Sequence, residues 1–520
     1  MSQSTFVKST FILTIATLLS KILGSIFRIP LQNIAGDEVL GIFSLVYPVY
    51  MVALILSVAG LPLAISKLIA EANTKKDNSS VREVFTTASL LAIMFGFLSF
   101  TLIFSFSNEI ANMLGGPTTR LALIVVAGTL LVAPYMAVYR GFFQGFADMK
   151  PTAISQVLEQ LIRVSLILLI AYFLVSKGYS DEVIAGGVMV GSIVGALASL
   201  IYLRIKYDKS PLKLVSSNNY SFVIFKKWTK TILSVSIPIA IGTLTMALFN
   251  FVDSFTVSYG LRAAGSSTNE INYLYGIYGR GLSLVQIATV FATSIVLPLV
   301  PLITTKLANK DTNGTRSIIE RTHRMTHFIS WPAAMGLLAL TLPLNLALFT
   351  NLEGSSMLAI INFSSVFTSF ALLGTGILQG MNYARTSALV IIGSVILKTF
   401  SNIYFIQWFG LDGAAISTLC IYIILVFTNS IIIMRRIKFK LFNTEVFKII
   451  VSASIMGGLV GIPTLFFSLT DWSRMQAVIY LGFSILLGAL IYFALLFLLK
   501  VITKDDIKNS PLLARINIKK

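Results

Sequence analysis

Residues 141–145 are Gly-Phe-Phe-Gln-Gly, and residues 376–380 are Gly-Ile-Leu-Gln-Gly, 235 positions further along the chain. Each motif lies at the end of a long apolar run. Three further matched pairs share this offset: Lys150 and Arg385, Arg163 and Lys398, and Gly41 and Gly276. Several features with one offset indicate an internal repeat, which is common in transporters. We therefore predict two lobes with the same helix order.

The composition excludes an ordinary soluble enzyme. Of the 520 residues 56% are hydrophobic and 12% are charged, with a mean hydropathy of +0.86, whereas a soluble domain is about 25% charged. The apolar runs have the length of a helix that crosses a bilayer, about twenty residues, while a transmembrane β-barrel would alternate over about ten. The sequence predicts an all-α polytopic membrane protein with about fourteen transmembrane helices. The runs are at 9–33, 39–70, 83–107, 119–143, 151–176, 182–205, 229–259, 272–303, 325–350, 356–381, 386–408, 411–434, 447–469 and 476–500.

The repeat relates the first six runs to the next six. Because six is even, both lobes enter the membrane from the same side, related by a pseudo-two-fold axis along the membrane normal. The predicted parts are an N-terminal lobe at 1–206, a basic cytoplasmic linker at 207–228, a C-terminal lobe at 229–436, two extra helices at 437–501 and a cytoplasmic tail at 502–520.

The net charge of +19 is explained by topology. Lysines and arginines are concentrated in alternate connections, whereas the opposite connections hold few and include acidic loops, as around Asp37 and Glu38. By the positive-inside rule the basic connections and both termini face the cytoplasm. We therefore expect no nucleic-acid partner. A cleaved signal peptide is not expected either, because the first run is too long and contains Lys21.

Five cations fall inside the membrane runs, where each costs about 2.5–3.5 kcal/mol on insertion scales. They are Lys21, Arg28, Arg163, Arg280 and Lys398. In the first run, Ser25 and Gln32 follow Lys21 at helical spacing, which predicts one polar face. Arg28 either belongs to this face or reaches the outer interface with its long side chain.

Two carboxylates accompany these cations. Glu159 lies on one face of the fifth run with Gln156 and Arg163, and it either pairs with Arg163 four residues on or acts separately. On the seventh run, Asp253 lies beside Asn250 and is a candidate counter-ion for a buried arginine, Arg280 or Arg28.

Five cations against two carboxylates predict a net cationic cleft between the lobes. Such a cleft favours an anionic substrate, and the planar donor fork of arginine suits phosphate. A cationic drug would be repelled, which argues against a multidrug exporter that relies on buried carboxylates. The cleft itself is a prediction, because helix rotation is inferred only from the polar faces.

No catalytic residue, cofactor or metal site is predicted, because the sequence has neither a Walker A motif nor a metal-ligand spacing. The two histidines, His323 and His327, are assigned to the cytoplasmic entrance of the ninth run as interfacial residues. Transport is expected to be secondary. Three energy sources stay open: an ion gradient, the membrane potential and the substrate gradient. For an ion gradient the ion is Na⁺ or H⁺, and Glu159 and Asp253 are the candidate coupling residues.

The segment Tyr139-Arg140-Gly-Phe-Phe-Gln-Gly145, with Lys150-Pro-Thr-Ala-Ile-Ser-Gln-Val157, resembles the polysaccharide-biosynthesis and stage V sporulation protein B group. Ser20-Lys-Ile-Leu-Gly24 and Leu274-Tyr-Gly-Ile-Tyr278 are similar to that group as well. The group is related to the MurJ lipid II flippases within the multidrug/oligosaccharidyl-lipid/polysaccharide (MOP) exporter superfamily, which includes the MATE transporters. The resemblance spans nearly the whole chain.

The resemblance implies a fourteen-helix fold whose lobes open alternately and move an undecaprenyl-pyrophosphate-linked glycan across a bacterial plasma membrane. It implies head-group contacts for Lys21, Arg28 and Arg280, to which the charge argument adds Arg163 and Lys398. It also implies a lipid-tail groove at helices 13 and 14. The second run departs from the pattern, since it has no deep arginine.

The favoured cargo is lipid II for peptidoglycan synthesis, with membrane lipids and the cell-wall machinery as further partners. Three alternatives stay open: a flippase for another lipid-linked polysaccharide, an ion-coupled exporter of small soluble solutes, and an envelope or spore scaffold without transport.

Overall fold

The computed structural model describes residues 3–58, 60–212 and 220–502. Residues 213–219 of the predicted linker and 503–520 of the predicted tail lie outside the described residues. Twenty α-helices and three short 3-10 helices make up most of the rest. The α-helices are α1 (Gln3–Ile26), α2 (Arg28–Val58), α3 (Leu61–Thr74), α4 (Asn78–Ser105), α5 (Ser107–Met113), α6 (Arg120–Ala127), α7 (Ala133–Gly145), α8 (Lys150–Ser176), α9 (Asp181–Asp208), α10 (Phe222–Thr243), α11 (Thr245–Ala263), α12 (Thr268–Ala308), α13 (Thr312–Ala339), α14 (Thr341–Phe349), α15 (Ser355–Gly380), α16 (Ala384–Phe409), α17 (Leu411–Met434), α18 (Thr444–Gly461), α19 (Pro463–Phe466) and α20 (Arg474–Leu498).

The helices form two compact units. Unit 1 consists of Met1–Ser283 and Ala384–Ser417, and unit 2 of Leu284–Tyr383 and Thr418–Lys520. Unit 1 therefore holds α1 to α11, the start of α12, and α16. Unit 2 holds the rest of α12, α13 to α15, most of α17, and α18 to α20. The two six-helix lobes stay a prediction.

The apolar runs are helical, as predicted. Within the described residues, eleven helices are long and apolar enough to cross a membrane, or up to twelve if a bent pair is one span. This count is lower than fourteen partly because the first two runs fall in one helical stretch, Ile12–Thr74. The bent pair is α13 with α14, which meet at 75°.

The connections repeat as well as the helices. Lys76 and Lys310 have positive φ, 55° and 56°, and each precedes an aspartate that caps the next helix. Asp77 accepts hydrogen bonds from the Ser80 hydroxyl and amide, which lower its pKa. Asp311 accepts from the Lys306 ammonium and then from the Gly314 amide, and these bonds likewise lower its pKa.

The Gly-x-x-Gln-Gly motifs lie where helices approach closely. In unit 1, a Cβ at Gly141 would lie 2.8 Å from the Pro62 carbonyl oxygen, so α7 packs directly on α3. In unit 2, a Cβ at Gly380 would lie 3.0 Å from the Val300 carbonyl oxygen, so α15 packs on α12 in the same way. The repeated motif therefore encodes a repeated helix contact.

A second close approach joins α2 to α12 inside unit 1. A Cβ at Gly41 would overlap the carbonyl group of Asn272, and a Cβ at Gly276 would overlap the carbonyl group of Asp37. Glycine lets the two backbones touch because it has no Cβ. The contact is reciprocal, since both pairs, 37 with 272 and 41 with 276, are separated by the repeat offset. This crossing positions the charged groups described next.

Candidate anion site in unit 1

Asp37 and Arg280 form a buried ion pair beside the α2–α12 crossing. Gly36, at φ 84°, breaks the helical path of α2, so Asp37 begins a new helical segment. The Arg280 Nε donates to Asp37 Oδ1 at 2.8 Å, and a terminal guanidinium nitrogen donates to Oδ2. The amide of Gln32 donates to Oδ2 at 3.0 Å. Arg280 is 0% exposed and Asp37 5%, so the pair is fully desolvated.

This pairing corrects two expectations from the sequence. Asp37 was assigned to an acidic outer loop, but its carboxylate is buried because the turn at Gly36 packs against α12. Asp253 was a candidate counter-ion for Arg280 or Arg28, and that assignment was wrong. The partner of Arg280 is Asp37, 243 residues away in sequence.

Asp253 instead pairs with Lys398. The Lys398 Nζ lies 3.0 Å from Asp253 Oδ1, and both side chains are almost completely buried. Asn402 donates to the same oxygen at 2.8 Å, and the Tyr278 hydroxyl donates to Oδ2 at 3.0 Å. Asn250, expected to act with Asp253, is partly buried and has its carbonyl oxygen bonded to the Ser254 hydroxyl. The carboxylate thus has three donors in the described structure.

Arg28 and Arg163 form a different arrangement, the arginine pair. The Arg28 guanidinium lies 5.7 Å from the centroid of the Tyr47 ring, and the Arg163 guanidinium lies 5.1 Å from the same centroid. Arg28 also lies 5.6 Å from Phe43. Within the described residues neither arginine has an ion-pair partner, and the buried Nε of each has no hydrogen-bond partner. Two buried cations therefore share one aromatic ring.

Of the two alternatives left open for Glu159, the pair with Arg163 on the same helix is not formed. The Glu159 carboxylate accepts from Arg140 on α7 at 2.7 Å. Arg140 also donates to Ser155 at 3.0 Å and to Ser199 at 3.1 Å. This network ties α7 to α8 and α9 and neutralises Glu159.

The polar face of α1 packs partly on α8. The Thr17 hydroxyl donates to the Gln156 side chain at 3.1 Å. The Ser25 hydroxyl, which is buried, donates to the Lys21 carbonyl oxygen at 2.9 Å. The Lys21 side chain is exposed, unlike the four other cations. The structure thus brings Arg28 and Arg163 together, pairs Arg280 and Lys398 with carboxylates, and leaves Lys21 outside these clusters.

The two histidines, expected as interfacial residues at the cytoplasmic entrance of the ninth run, have buried side chains. His323 and His327 are 4% and 3% exposed in unit 2. His327 Nδ1 accepts a hydrogen bond from Trp331 at 3.0 Å, and both rings lie against Phe370. They are core residues of α13.

Unit 2 also contains an apolar cavity of about 540 Å³. It lies between α12, α13, α14, α18 and α20, and its walls include Phe291, Pro332, Gly336, Met456 and Phe493. Its size and apolar walls suit a hydrocarbon chain. The family resemblance implies a lipid-tail groove near the two helices now seen as α18 and α20.

Two participants were missed by the sequence analysis. Asp37 gave one signal, an acid directly after a glycine at a helix turn, but its partner is remote in sequence. Nothing in the sequence marks Tyr47 as a site residue, because an aromatic residue in an apolar run is usually a core residue.

The sequence pattern of the family described as polysaccharide biosynthesis protein matches residues 6–306. The chain belongs to this family. A membrane protein of Bacillus subtilis (strain 168), YabM, is 31% identical over 79% of this chain and 76% of its own length. The lipid II flippase MurJ of the same organism is 27% identical over 94% of both chains, and its stage V sporulation protein B is 26% identical over the whole of both.

Solved structures show the same fold. An inward-facing MATE-family multidrug transporter of the MOP superfamily has a TM-score of 0.63 at 16% identity and covers 81% of this chain and 95% of its own. A lipid II flippase MurJ in an inward closed conformation has a TM-score of 0.60 at 16% identity, covering 94% and 97%. The family resemblance and the helical, polytopic fold class expected from the sequence are confirmed: the chain is a multi-pass membrane protein, its described residues are helical, and its fold is that of the MATE and MurJ structures.

Proposed function

We propose that the protein is a flippase that moves an undecaprenyl-pyrophosphate-linked glycan across a bacterial plasma membrane by alternating access. The observation that carries the proposal is the arginine pair, Arg28 and Arg163. Burying a charge without an opposite charge is costly, and two like charges add repulsion. An anion with several negative charges relieves both costs, and arginine is the side chain best suited to bind phosphate oxygens.

In this proposal the pyrophosphate binds Arg28 and Arg163, with Lys21 approaching from the exposed face of α1. Arg280 and Lys398 remain candidate head-group ligands, and each would first have to leave its carboxylate. Ser25, Gln32, Gln156 and Asn250 remain candidate polar contacts for the glycan. The polyprenyl chain stays in the surrounding lipid. The apolar cavity of unit 2 is a separate candidate site for a hydrocarbon chain.

Lipid II is the favoured cargo because the relative with that activity matches the chain along nearly its whole length. A second candidate is another lipid-linked glycan, which the family description supports. In either case both termini are cytoplasmic, the protein acts without a cofactor, and the cell-wall machinery supplies or receives the cargo. Moving a charge through the membrane potential is worth about 2.3 kcal/mol per 100 mV, which is enough to bias the cycle.

The alternative of an ion-coupled exporter of soluble solutes would use Glu159 and Asp253. Both carboxylates are already neutralised, by Arg140 and Lys398. An incoming ion would have to displace these partners, so the geometry favours the flippase.

The test is complementation. The native lipid II flippase of a bacterium is depleted, this chain is expressed, and lipid II on the outer face is measured. We expect rescue by the unchanged protein and loss of rescue by Arg28→Ala and by Arg163→Ala, at equal amounts of inserted protein. Arg316→Ala, which removes an exposed arginine of an exposed ion pair, is the matched control and should rescue fully.

Other outcomes point elsewhere. Absence of rescue with normal insertion would move the cargo to a different lipid-linked glycan, to be sought by the same assay with labelled polyprenyl pyrophosphate glycans. Rescue that survives both arginine changes but fails in Glu159→Gln or Asp253→Asn would contradict the arginine-pair mechanism and favour ion coupling.

A further inference from the structure

Asp37 binds Arg280 in the way that a phosphate group would. Two oxygens of the carboxylate accept from two nitrogens of one guanidinium, Nε at 2.8 Å and a terminal nitrogen. Arginine binds carboxylate and phosphate through this same planar fork. While Asp37 is in place, that fork of Arg280 is not available to a phosphate.

The position of Asp37 allows it to leave. It directly follows Gly36, whose φ of 84° makes a turn between two helical segments. A glycine at a turn is a site where the backbone direction can change at low cost. A change there would carry the carboxylate away from α12 without disturbing the helical hydrogen bonds on either side.

The pair belongs to a set of contacts between the two predicted lobes inside unit 1. Arg262 donates to the Leu114 carbonyl oxygen at 3.2 Å, and Asn272 donates to the Thr118 hydroxyl at 2.9 Å. Together with the α2–α12 crossing, these contacts link residues below 206 to the end of α11 and the start of α12. We call the Arg262 and Asn272 contacts the outer latch, since the positive-inside rule assigns these connections to the outer side.

We propose that Asp37 is an internal competitor of the substrate pyrophosphate for Arg280. The inference rests on the proposed function and adds a release step to it. When the pyrophosphate binds, Arg280 transfers from the carboxylate to the phosphate oxygens, and the freed Asp37 loosens the outer latch. When Asp37 binds Arg280 again, it displaces the phosphate and the lipid is released. The net charge at Arg280 is balanced in both states, so the guanidinium is never left alone in the membrane.

If Asp37 competes with the substrate for Arg280, removing its charge should strengthen substrate binding and slow transport. Asp37→Asn removes the competing charge but keeps the size of the side chain, so substrate should bind more tightly and leave more slowly. A purely structural role for Asp37 would weaken both, because a disturbed site binds less well.

The first experiment measures binding of undecaprenyl pyrophosphate to the full-length protein in nanodiscs, together with transport in proteoliposomes. We expect Asp37→Asn to bind at least about tenfold more tightly, because removing the competitor leaves the buried Arg280 charge to the phosphate, and to transport several-fold more slowly. Asp37→Glu, which keeps the charge, should restore most of both values. The matched control is Glu38→Gln, which removes the neighbouring carboxylate and should change neither.

The outcomes are distinguishable. If the unchanged protein binds the probe but Asp37→Asn binds it equally or less well, the competition is refuted and the proposed function stands. If neither protein binds the probe, the proposed function is refuted and the competition falls with it.

A second measurement keeps Asp37 unchanged and so does not depend on the stability of an Asp37 variant. Cysteines at Thr118 and Asn272, in a Cys420→Ala background, report the outer latch through the rate of disulfide formation. We expect undecaprenyl pyrophosphate to slow the cross-link several-fold and undecaprenol, which lacks the phosphates, to have no effect. An unchanged rate at saturating probe would refute the coupling of Asp37 to the latch.

Discussion

Replacing Lys398 by methionine should destabilise the protein strongly, because it leaves Asp253 as a buried negative charge. The ammonium lies 3.0 Å from Oδ1, and the two side chains are only 1% and 2% exposed. Removing one partner of such a pair costs about 3–5 kcal/mol. Asn402 and Tyr278 still donate to the carboxylate and hold the loss toward the lower end of this range.

The assay is a double-mutant cycle by denaturant unfolding in detergent. Lys398→Met and Asp253→Asn are made singly and together, and the double variant should recover most of the loss because no unpaired charge remains. The exposed pair Arg316 and Glu320, at 2.9 Å, gives the matched cycle and should show about 0.5 kcal/mol or less.

The reasoning would be refuted if Lys398→Met cost no more than Arg316→Met. It would equally be refuted if the double variant were as unstable as Lys398→Met, since the cost would then arise from packing and not from the uncompensated charge.

Three further changes have defined outcomes. Gly41→Ala should lower the free energy of unfolding by about 1–3 kcal/mol, because the new methyl overlaps a backbone carbonyl of α12. Gly393→Ala is the control: it has open space around it and should be neutral or stabilising by up to about 1 kcal/mol in the same unfolding assay. Asp311→Asn should remove the stability supplied by the lowered pKa of Asp311. The difference in unfolding free energy between the two proteins should be present above the ordinary aspartate pKa of 3.8 and should vanish as the pH falls through the lowered value. A difference that stays constant when stability is measured down to acid pH would contradict this. Gly336→Leu should fill part of the apolar cavity and weaken binding of undecaprenyl phosphate while leaving inorganic pyrophosphate binding unchanged; equal loss for both ligands would show that the cavity does not hold the lipid chain.

The fold was predictable because the bilayer imposes a length and a polarity on every spanning helix. Within the described residues most of each of the fourteen apolar runs is helical, and the repeated Gly-x-x-Gln-Gly motif marks a repeated contact. What sequence could not reveal is how helices break. Gly36 breaks α2 inside one apolar stretch, Ile12–Thr74, and the 75° bend between α13 and α14 falls at Leu340, inside a single apolar run.

The sequence predicts most of the buried cations of the site but not the groups with which they form pairs. Burial cost singles out five cations from the sequence alone, because a charge inside an apolar run is conspicuous. Four of them, Arg28, Arg163, Arg280 and Lys398, are buried, whereas Lys21 is exposed. Helical spacing then gives the face of one helix but not the neighbour across from it. The one partner that spacing could offer Glu159 was Arg163 on its own helix, whereas the partner in the structure, Arg140, lies on α7.

The reciprocal crossing of α2 and α12 has a consequence for the ancestry of the chain. In a half-length ancestor that formed a symmetric dimer, positions 37 and 272 would have been the same residue, and each copy would have packed on the glycine now at 276 or 41 of the other subunit. A carboxylate at that position would have occurred twice at one contact, and the two charges would have repelled each other. After duplication the two copies could differ, and this chain keeps the acid at Asp37 and an amide at Asn272. Fusion of the halves thus permits a single negative charge at a nearly symmetric contact, which no dimer of identical subunits can contain.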